Sequence, residues 1–331
     1  MKRFIKIVIT LFLVLSLMPC VDVAAAANVT TVEPIDESTK SATNCYTSYV
    51  GKAQVSGIIP GLKQAVTCNK KDGAITTCTS MTPQGMTIAG NYILISAYCD
   101  CGKHNSVIYI IDKNTRQYKS TLILDTNCHV GGIAVCGNYI WVCDSSESDN
   151  GKHYLLAYKY SDINIALKGN CKKLYRVARC QIDIKPSYIC SDGGDLYVGT
   201  YDNTYTNRVY FYTPQGTSLK KQGYITIYGM RYIQGISIRN DYMVVTSSWG
   251  WAGLSNVCVY KDSTNRFAKS GKTYASPIKT LALPTMAQGC YIESNNTYFL
   301  FESGAEQYRR KPFASPLDKY LGFSNSTLGI K

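Results

Sequence analysis

The sequence predicts an all-β protein built from five similar units, and three observations support this. One pattern recurs: a Gly or small residue, a short apolar strand, a polar turn, and a second strand rich in Tyr, Ile, Val and Leu. The copies are spaced by roughly 46 to 57 residues, which is too long for helical solenoids and suits one four-stranded sheet each. The sequence also lacks helical periodicity of useful length. The copies cover 84 to 98, 131 to 145, 188 to 202, 234 to 248 and, more loosely, 288 to 304.

Further β-rich runs follow each copy and complete the four-stranded units. Third strands are expected to begin near 106, 153, 208, 256 and 319, and fourth strands near 118, 174 and 223. A single four-stranded meander cannot bury both faces, whereas five packed radially around an axis can. The sequence therefore predicts a β-propeller with five blades, although residues 45 to 83 are long enough to hold part of a sixth.

The fifth copy runs out of chain after its third strand, near Lys331. Its outer strand can instead come from the segment before the first copy, about Ala53 to Ile59. We therefore expect the two ends of the domain to pair and close the ring.

The N-terminus has the composition of a secretory signal. Basic residues precede an apolar stretch, Ile7 to Met18, and a small-residue run, Ala24 to Ala27, so residues 1–27 are expected to be removed. Residues 28–44 are expected to form a mobile leader, and residues 45–331 a single propeller domain. No second run of about 18 apolar residues follows, which argues against a stable membrane anchor. The expected location is outside the cell or at the cell wall.

The chain is basic, with a formal net charge of +13. Its Lys and Arg residues are scattered over all the repeats without the clustered basic stripe that a phosphate groove needs, which argues against nucleic acid as a partner. The plain interpretation is a solvated surface. The more specific one is attraction to an anionic cell-wall polymer or an acidic polysaccharide.

The 14 cysteines lead to two competing expectations. In an oxidising exterior most of them should form disulfides, and Cys68 and Cys78 flank a short turn that such a bond could close. Zinc is the alternative, because thiolate and imidazole are good zinc ligands, but the paired CxxC spacing is missing. We therefore assign no metal or cofactor, with zinc or calcium as the alternatives. The crowded residues of the first two repeats are Cys99, Cys101, Cys128, Cys136, Cys143, His104 and His129.

The candidate site follows from strand geometry. If the first two strands of a blade are antiparallel, the start of the first and the end of the second lie on one face of the disc, where loops converge on a central funnel. The starts carry Gln84, Tyr188, Gln234 and Gln288, with His129 just ahead of its copy; the ends carry Ser96, Cys143, Thr200, Thr246 and Glu302. We predict a ligand site formed by Gln84, His129, Gln234, Trp249, Trp251 and Gln288.

Each of these residues also has a purely structural interpretation. A repeated Gln-Gly can serve the turn of the inner strand, and Asp residues at strand ends such as Asp100, Asp144 and Asp202 commonly cap turns. His129 can be a hydrogen-bonded structural histidine. Trp249 and Trp251 flank a loop glycine, where exposed rings offer stacking surfaces for sugars or for apolar partner side chains.

In organisation the repeats resemble the bacterial secreted propellers of the YVTN/YncE-like and NHL-type classes. The resemblance covers essentially the whole mature chain and rests on repeat architecture, not on a diagnostic motif. It implies a propeller whose relatives include both binding scaffolds and enzymes, so the fold does not choose between these functions.

Two functions remain for the funnel face. The favoured one is a binding protein for an extracellular glycan, an anionic cell-wall polymer or a protein partner. The alternative is a hydrolase or lyase acting on carbohydrate or an ester, in which four acids, Asp100, Asp144, Asp202 and Glu302, could supply ligands to a calcium ion. Glycoside hydrolysis needs two carboxylates, which only Glu302 with Asp144 or Asp202 could supply, and His129 could act as a base. No GxSxG or HExxH motif is present.

Overall fold

The structure is a computed structural model that describes residues 52–145, 151–311 and 315–331. The expected signal of residues 1–27, the leader of residues 28–44 and the first residues of the expected domain lie outside the described residues. None of the described helices is long and apolar enough to cross a membrane.

The described chain is almost entirely β-structure. The first strands are β1 (Val55–Ile58), β2 (Ala65–Cys68), β3 (Ile75–Cys78), β4 (Met81–Ala89), β5 (Tyr92–Cys99), β6 (Val107–Asp112), β7 (Tyr118–Ile123) and β8 (Ile133–Cys136). They are followed by β9 (Tyr139–Asp144), β10 (His153–Lys159), β11 (Cys171–Lys173), β12 (Ala178–Ile182), β13 (Tyr188–Asp192), β14 (Asp195–Gly199), β15 (Thr206–Gln215) and β16 (Ser218–Tyr228). The last are β17 (Ile233–Arg239), β18 (Tyr242–Ser247), β19 (Ser255–Lys261), β20 (Thr273–Tyr274), β21 (Lys279–Leu283), β22 (Ala287–Ile292), β23 (Asn296–Phe301) and β24 (Lys319–Ser324). Short helices are α1 (Asp162–Ala166), α2 (Glu306–Arg309) and a 3-10 turn (Asn325–Leu328).

The strands form five antiparallel four-stranded blades, which confirms the predicted propeller. From the axis outward, blade 1 is β4-β5-β6-β7, blade 2 is β8-β9-β10-β12, and blade 3 is β13-β14-β15-β16. Blade 4 is β17-β18-β19-β21, and blade 5 is β22-β23-β24-β1. Strands β11 and β20 extend blades 1 and 3 by short parallel pairings. Of the described residues in the segment considered for a sixth blade, β1 belongs to blade 5 and the start of β4 to blade 1. Between them lies the hairpin β2–β3.

The ring closes as expected, through the first described strand. Strand β1 pairs antiparallel with β24, with Val55 opposite Gly322 and Ile58 opposite Lys319. The outer strand of blade 5 is therefore supplied from the other end of the domain.

Glycines let the inner strands approach one another around the axis. A Cβ on Gly85 of blade 1 would lie 2.8 Å from the Cα of Gly132, and one on Gly289 of blade 5 would lie 2.8 Å from the backbone nitrogen of Met86. In blade 4, a Cβ on Gly235 would lie 2.3 Å from the carbonyl oxygen of Gln288. Backbone would have to move for any larger residue, so the glycine of the repeat is required by close packing at the centre.

The core consists of five apolar clusters, each filled by two consecutive blades. The cluster between blades 5 and 1 also takes in the hairpin β2–β3 through Ala65, Val66, Cys68 and Cys78. Since each blade buries a face against both neighbours, no blade has a complete core by itself.

Candidate functional site

The axis of the propeller holds a large cavity of about 1060 Å³. Its lining includes residues from the inner strands and from the loops at the mouth, as expected if strand starts and ends converge there. The predicted site residues that line it are Gln84, His129, Asp144, Gln234, Trp251, Gln288 and Glu302. Tyr98, which follows the second strand of its blade and was expected on the same face, lines it as well. The lining residues that were not predicted include Lys70, Arg176, Arg179, Lys185, Tyr201 and Tyr308.

Glu302 is the most unusual of these side chains, because it is a buried carboxyl without a basic partner among the described residues. The carboxylate accepts a hydrogen bond from Nε2 of Gln84 at 2.8 Å and another from the side chain of Gln288. Desolvation raises the pKa of Glu302 to about 7, although both hydrogen bonds favour the charged form. This carboxyl can therefore exchange its proton near neutral pH.

The structure also corrects the alignment of Glu302 with the strand-end hydroxyls. Leu300 follows Gly289 at the spacing at which Ser96 follows Gly85, and Glu302 lies two residues beyond it, at the position of Tyr98. Ser96 lies at the inner strands, where its Oγ donates to the carbonyl of Val130 at 2.9 Å. The position further along the strand faces the cavity, which is why Tyr98 and Glu302 line it.

The glutamines of the Gln-Gly repeats have different roles. Gln84 is buried, and its side-chain amide donates one hydrogen bond to the carbonyl of Pro83 and one to the carboxylate of Glu302. Gln288 is buried and also bonds Glu302. Gln234 is half-buried, and among the described residues its side chain makes one long contact, 3.5 Å, from Nε2 to the carbonyl of Ser248. Two glutamines thus hold the carboxyl, while the third remains accessible to a ligand.

His129 packs against the ring of Tyr98, with ring centroids 4.2 Å apart. Burial, and secondarily the charge of Lys185, lowers the pKa of His129 to about 4. The imidazole is therefore neutral at physiological pH and can accept or donate a hydrogen bond in the cavity wall.

Aromatic rings form a row at the mouth. The ring centroid of Tyr201 lies 5.5 Å from that of Tyr232, which lies 5.9 Å from that of Trp249. Trp249 is 69% exposed and lies outside the cavity lining, whereas Trp251 is part of the lining. The two tryptophans therefore occupy the rim and the wall, respectively.

Of the predicted Asp residues, one lines the cavity and two lie outside its lining. Asp144 lines the cavity and is paired with Arg179 at 3.6 Å. Asp202 lies outside the described lining, and its carbonyl accepts the backbone N–H of Tyr232. Asp100 also lies outside the lining. The structure brings Glu302 and Asp144 to one cavity, but not the set of four acids considered for calcium.

The described cysteines all carry free thiols, so the expected disulfides are not formed among them. In hairpin β2–β3, Cys78 pairs with Ala65 and Cys68 pairs with Ile75, so Cys68 and Cys78 lie at opposite ends of the ladder. A disulfide there is excluded by this register, since its Cβ atoms must lie about 3.8 Å apart.

The fold brings together only some of the cysteines and histidines of the first two repeats. Cys99, Cys101 and His104 meet Cys78 in one group that could hold a metal ion. Cys128, Cys136, Cys143 and His129 do not belong to this group. Cys78 was expected to pair with Cys68 and not to join this group. It is separated from Cys99 by 21 residues and reaches it through packing of the hairpin.

Comparisons with known proteins give only distant structural similarities. The sequence matches no protein family and no curated protein. The structure is similar to glutaminyl cyclase of Myxococcus xanthus, at 10% identity and a TM-score of 0.47, covering 81% of this chain and 94% of that one. It is also similar to hydrazine synthase of Kuenenia stuttgartiensis, at 13% identity and a TM-score of 0.35, covering 66% and 55%. A chain of a mitotic checkpoint complex has 8% identity and a TM-score of 0.42, covering 82% and 95%. At these values the similarities carry no argument about activity.

Proposed function

We propose that this protein is a secreted binding propeller that takes the end of an extracellular glycan into its axial cavity. The observation that supports this most directly is the combination of a polar cavity of about 1060 Å³ with an aromatic row at its mouth. Ligand sites in proteins are concave and contain a few convergent polar groups.

The inner part of the cavity suits hydroxyl groups. A hydroxyl both donates and accepts hydrogen bonds, as do the amide of Gln234 and the imidazole of His129. Glu302, with a pKa of about 7, can accept a bond when ionised or donate one when protonated. Each of these groups can therefore adapt to a sugar hydroxyl.

The rim suits the flat faces of sugar rings. Tyr201, Tyr232 and Trp249 offer a continuous aromatic surface that leads from the cavity lining to solvent. The excess of Lys and Arg over Asp and Glu in the chain would favour the approach of an acidic polymer through long-range attraction.

Retention on purified cell wall and binding to a glycan array test the proposal. We expect the double variant Trp249→Ala, Trp251→Ala and the single variant Gln234→Ala to lose most of the retention. The matched control is Ile278→Ala, which removes another exposed apolar side chain beside the start of β21 and away from the mouth. Unchanged retention in the tryptophan variant would rule out the aromatic row as the binding surface. Retention that protease treatment of the wall abolishes would indicate a protein partner instead.

One observation favours a second function, a hydrolase or lyase acting on carbohydrate or an ester. A buried carboxyl whose pKa is raised to about 7 is typical of a general acid or base. Glu302 would serve in that role, with Asp144 as the second carboxylate in the same cavity. Release of reducing ends or of acid from cell-wall material should then disappear in Glu302→Gln; release that persists in this variant would remove Glu302 from the reaction.

A further inference from the structure

Four potential metal ligands converge beside blade 1, outside the axial cavity. Cys78 ends strand β3 of the hairpin and Cys99 ends β5, while Cys101 and His104 lie in the loop between β5 and β6. One donor atom from each side chain lies within 4.8 Å of all the others. Cys78 and Cys99 are buried, His104 is half-buried and Cys101 is exposed.

The distances within this group are within about 1 Å of those in a tetrahedral zinc site. Zn–S bonds of about 2.3 Å and a Zn–N bond of about 2.0 Å separate two sulfurs by about 3.8 Å and a sulfur from a nitrogen by about 3.6 Å. The Sγ atom of Cys99 lies 3.3 Å from that of Cys78 and 2.9 Å from that of Cys101. Nδ1 of His104 lies 3.2 Å from the sulfur of Cys99 and 3.5 Å from that of Cys101. Side-chain shifts of less than about 1 Å would bring all four donors to bonding distance of one ion.

We propose that Cys78, Cys99, Cys101 and Nδ1 of His104 bind one zinc ion in a closed structural site. Three thiolates and one imidazole are a common ligand set of such sites, and the fourth ligand leaves no open position for chemistry.

Backbone hydrogen bonds prepare the sulfurs for this role. The N–H of Ser80 donates to Sγ of Cys78 at 3.3 Å. The N–H groups of His104 and Lys103 donate to the sulfurs of Cys99 and Cys101, respectively. Donors around ligand atoms orient them and favour the charged thiolate that zinc requires.

A disulfide accounts for this group less completely. One bond would consume two of the three sulfurs and would leave the third thiol and His104 without a partner in it. The sulfur of Cys99 lies 3.3 Å from that of Cys78 and 2.9 Å from that of Cys101, so it contacts two sulfurs, of which a disulfide could use only one. A metal ion engages all four side chains at once.

The ion would fasten the hairpin β2–β3 to the loop between β5 and β6. Backbone bonds already join them: the N–H of Lys70 donates to the carbonyl of Lys103, and that of Asn105 to the carbonyl of Cys68. Lys70 in turn lines the axial cavity. The zinc site would therefore stabilise a wall segment of the cavity without entering it.

Elemental analysis of the full-length chain, produced with zinc in the medium, tests the proposal. We expect about one zinc per chain, and the same content in the control Cys180→Ser, which removes a thiol of blade 2. The variants Cys99→Ser and His104→Ala should lose the metal, whereas His104→Cys should keep it, because four thiolates also form a closed zinc site. Cobalt substituted into the wild type should show the strong visible bands of tetrahedral thiolate coordination.

A second measurement keeps the test decisive if the variants fail to fold. A chelator added to the wild-type protein should remove the zinc and lower the Tm by several degrees, and zinc added back should restore it. Wild-type protein that folds without metal and carries a disulfide among Cys78, Cys99 and Cys101 in peptide mapping would overturn the proposal. None of these readouts depends on glycan binding.

Discussion

Two buried carboxylates in this propeller have opposite surroundings. Glu302, in the axial cavity, is held by the amides of Gln84 and Gln288. Asp262, between blades 3 and 4, accepts hydrogen bonds from Nζ of Lys272 at 2.7 Å and from the hydroxyl of Tyr274 at 2.6 Å. The backbone N–H groups of Thr264 and Asn265 complete its shell.

The pKa values follow these surroundings. Desolvation acts on both groups, but at Asp262 the hydrogen bonds from Lys272, Tyr274 and the backbone outweigh it and hold the pKa well below its usual range. At Glu302 the two amides do not outweigh desolvation, and the pKa rises to about 7. Asp262 is a fixed charge that joins two blades, whereas Glu302 can change its charge in response to a ligand or to pH.

The largest expected difference between the two carboxylates is the loss of stability when Asp262 is removed. Asp262→Ala leaves Lys272 and two backbone donors without their acceptor, and we expect a loss of about 3 kcal/mol in the free energy of unfolding. The matched control is Asp183→Ala, which breaks an exposed pair with Lys221 and should cost less than about 1 kcal/mol. Denaturant unfolding compares them; equal losses would show that Asp262 is not a structural anchor.

The next effect concerns the pH dependence of stability. The pKa of Glu302 is higher in the native state, about 7, than its usual 4.5, so stability falls as pH rises through that window. Glu302→Gln removes this term. Relative to the wild type, the variant should gain about 2 kcal/mol between about pH 5 and about pH 8, measured by denaturant unfolding at each pH. Parallel stability curves for the two proteins would contradict the assignment; Asp262→Asn should show no such trend in this range.

A smaller effect tests the amides directly. Gln84→Leu removes one donor to the carboxylate of Glu302, so the pKa of that carboxyl should rise by about one unit. Carboxyl NMR titration of the folded protein measures it. Gln234→Leu, whose amide contacts Ser248 instead, is the control and should leave the value in place; an unchanged titration in Gln84→Leu would show that the hydrogen bond contributes nothing.

The smallest effect concerns the other titrating wall residue. The pKa of His129 is lowered mainly by burial and secondarily by the charge of Lys185. The variant Lys185→Met should therefore raise the pKa of His129 by about half a unit. The stability that neutral His129 contributes is present above about pH 6.5 and is lost as pH falls toward about 4. Imidazole NMR titration measures the shift; a downward shift would contradict the role of Lys185.

Repeat spacing was enough to predict the blades and the closing strand. The short apolar strands, the polar turn between them and the recurring Gly specify each inner pair. The outer strand of the fifth blade comes from the other end of the domain. The parallel edge strands β11 and β20 could not be predicted, because Cys171–Lys173 and Thr273–Tyr274 are too short to show a period.

The lining residues at the ends of predicted strands could be identified from the sequence, whereas those in loops could not. Gln84, Gln288 and His129 were found because they stand next to periodic strands. Tyr308 and Arg176 lie in loop segments or short helices whose course no sequence period determines, so their place in the lining was not predicted. Trp249 was predicted correctly as a loop residue, but the backbone turn puts it at the rim.

The closing ladder between β1 and β24 also decides how the ring responds to tension. Val55 is paired with Gly322 and Ile58 with Lys319. The segment before β1 and the segment after β24 therefore both leave the ladder at its Val55–Gly322 end. A pull applied at residues 52 and 331 would load the rungs one after another, not all together. The strands β1 and β24 would then separate one residue pair at a time under a small force, while the other four blades stayed intact.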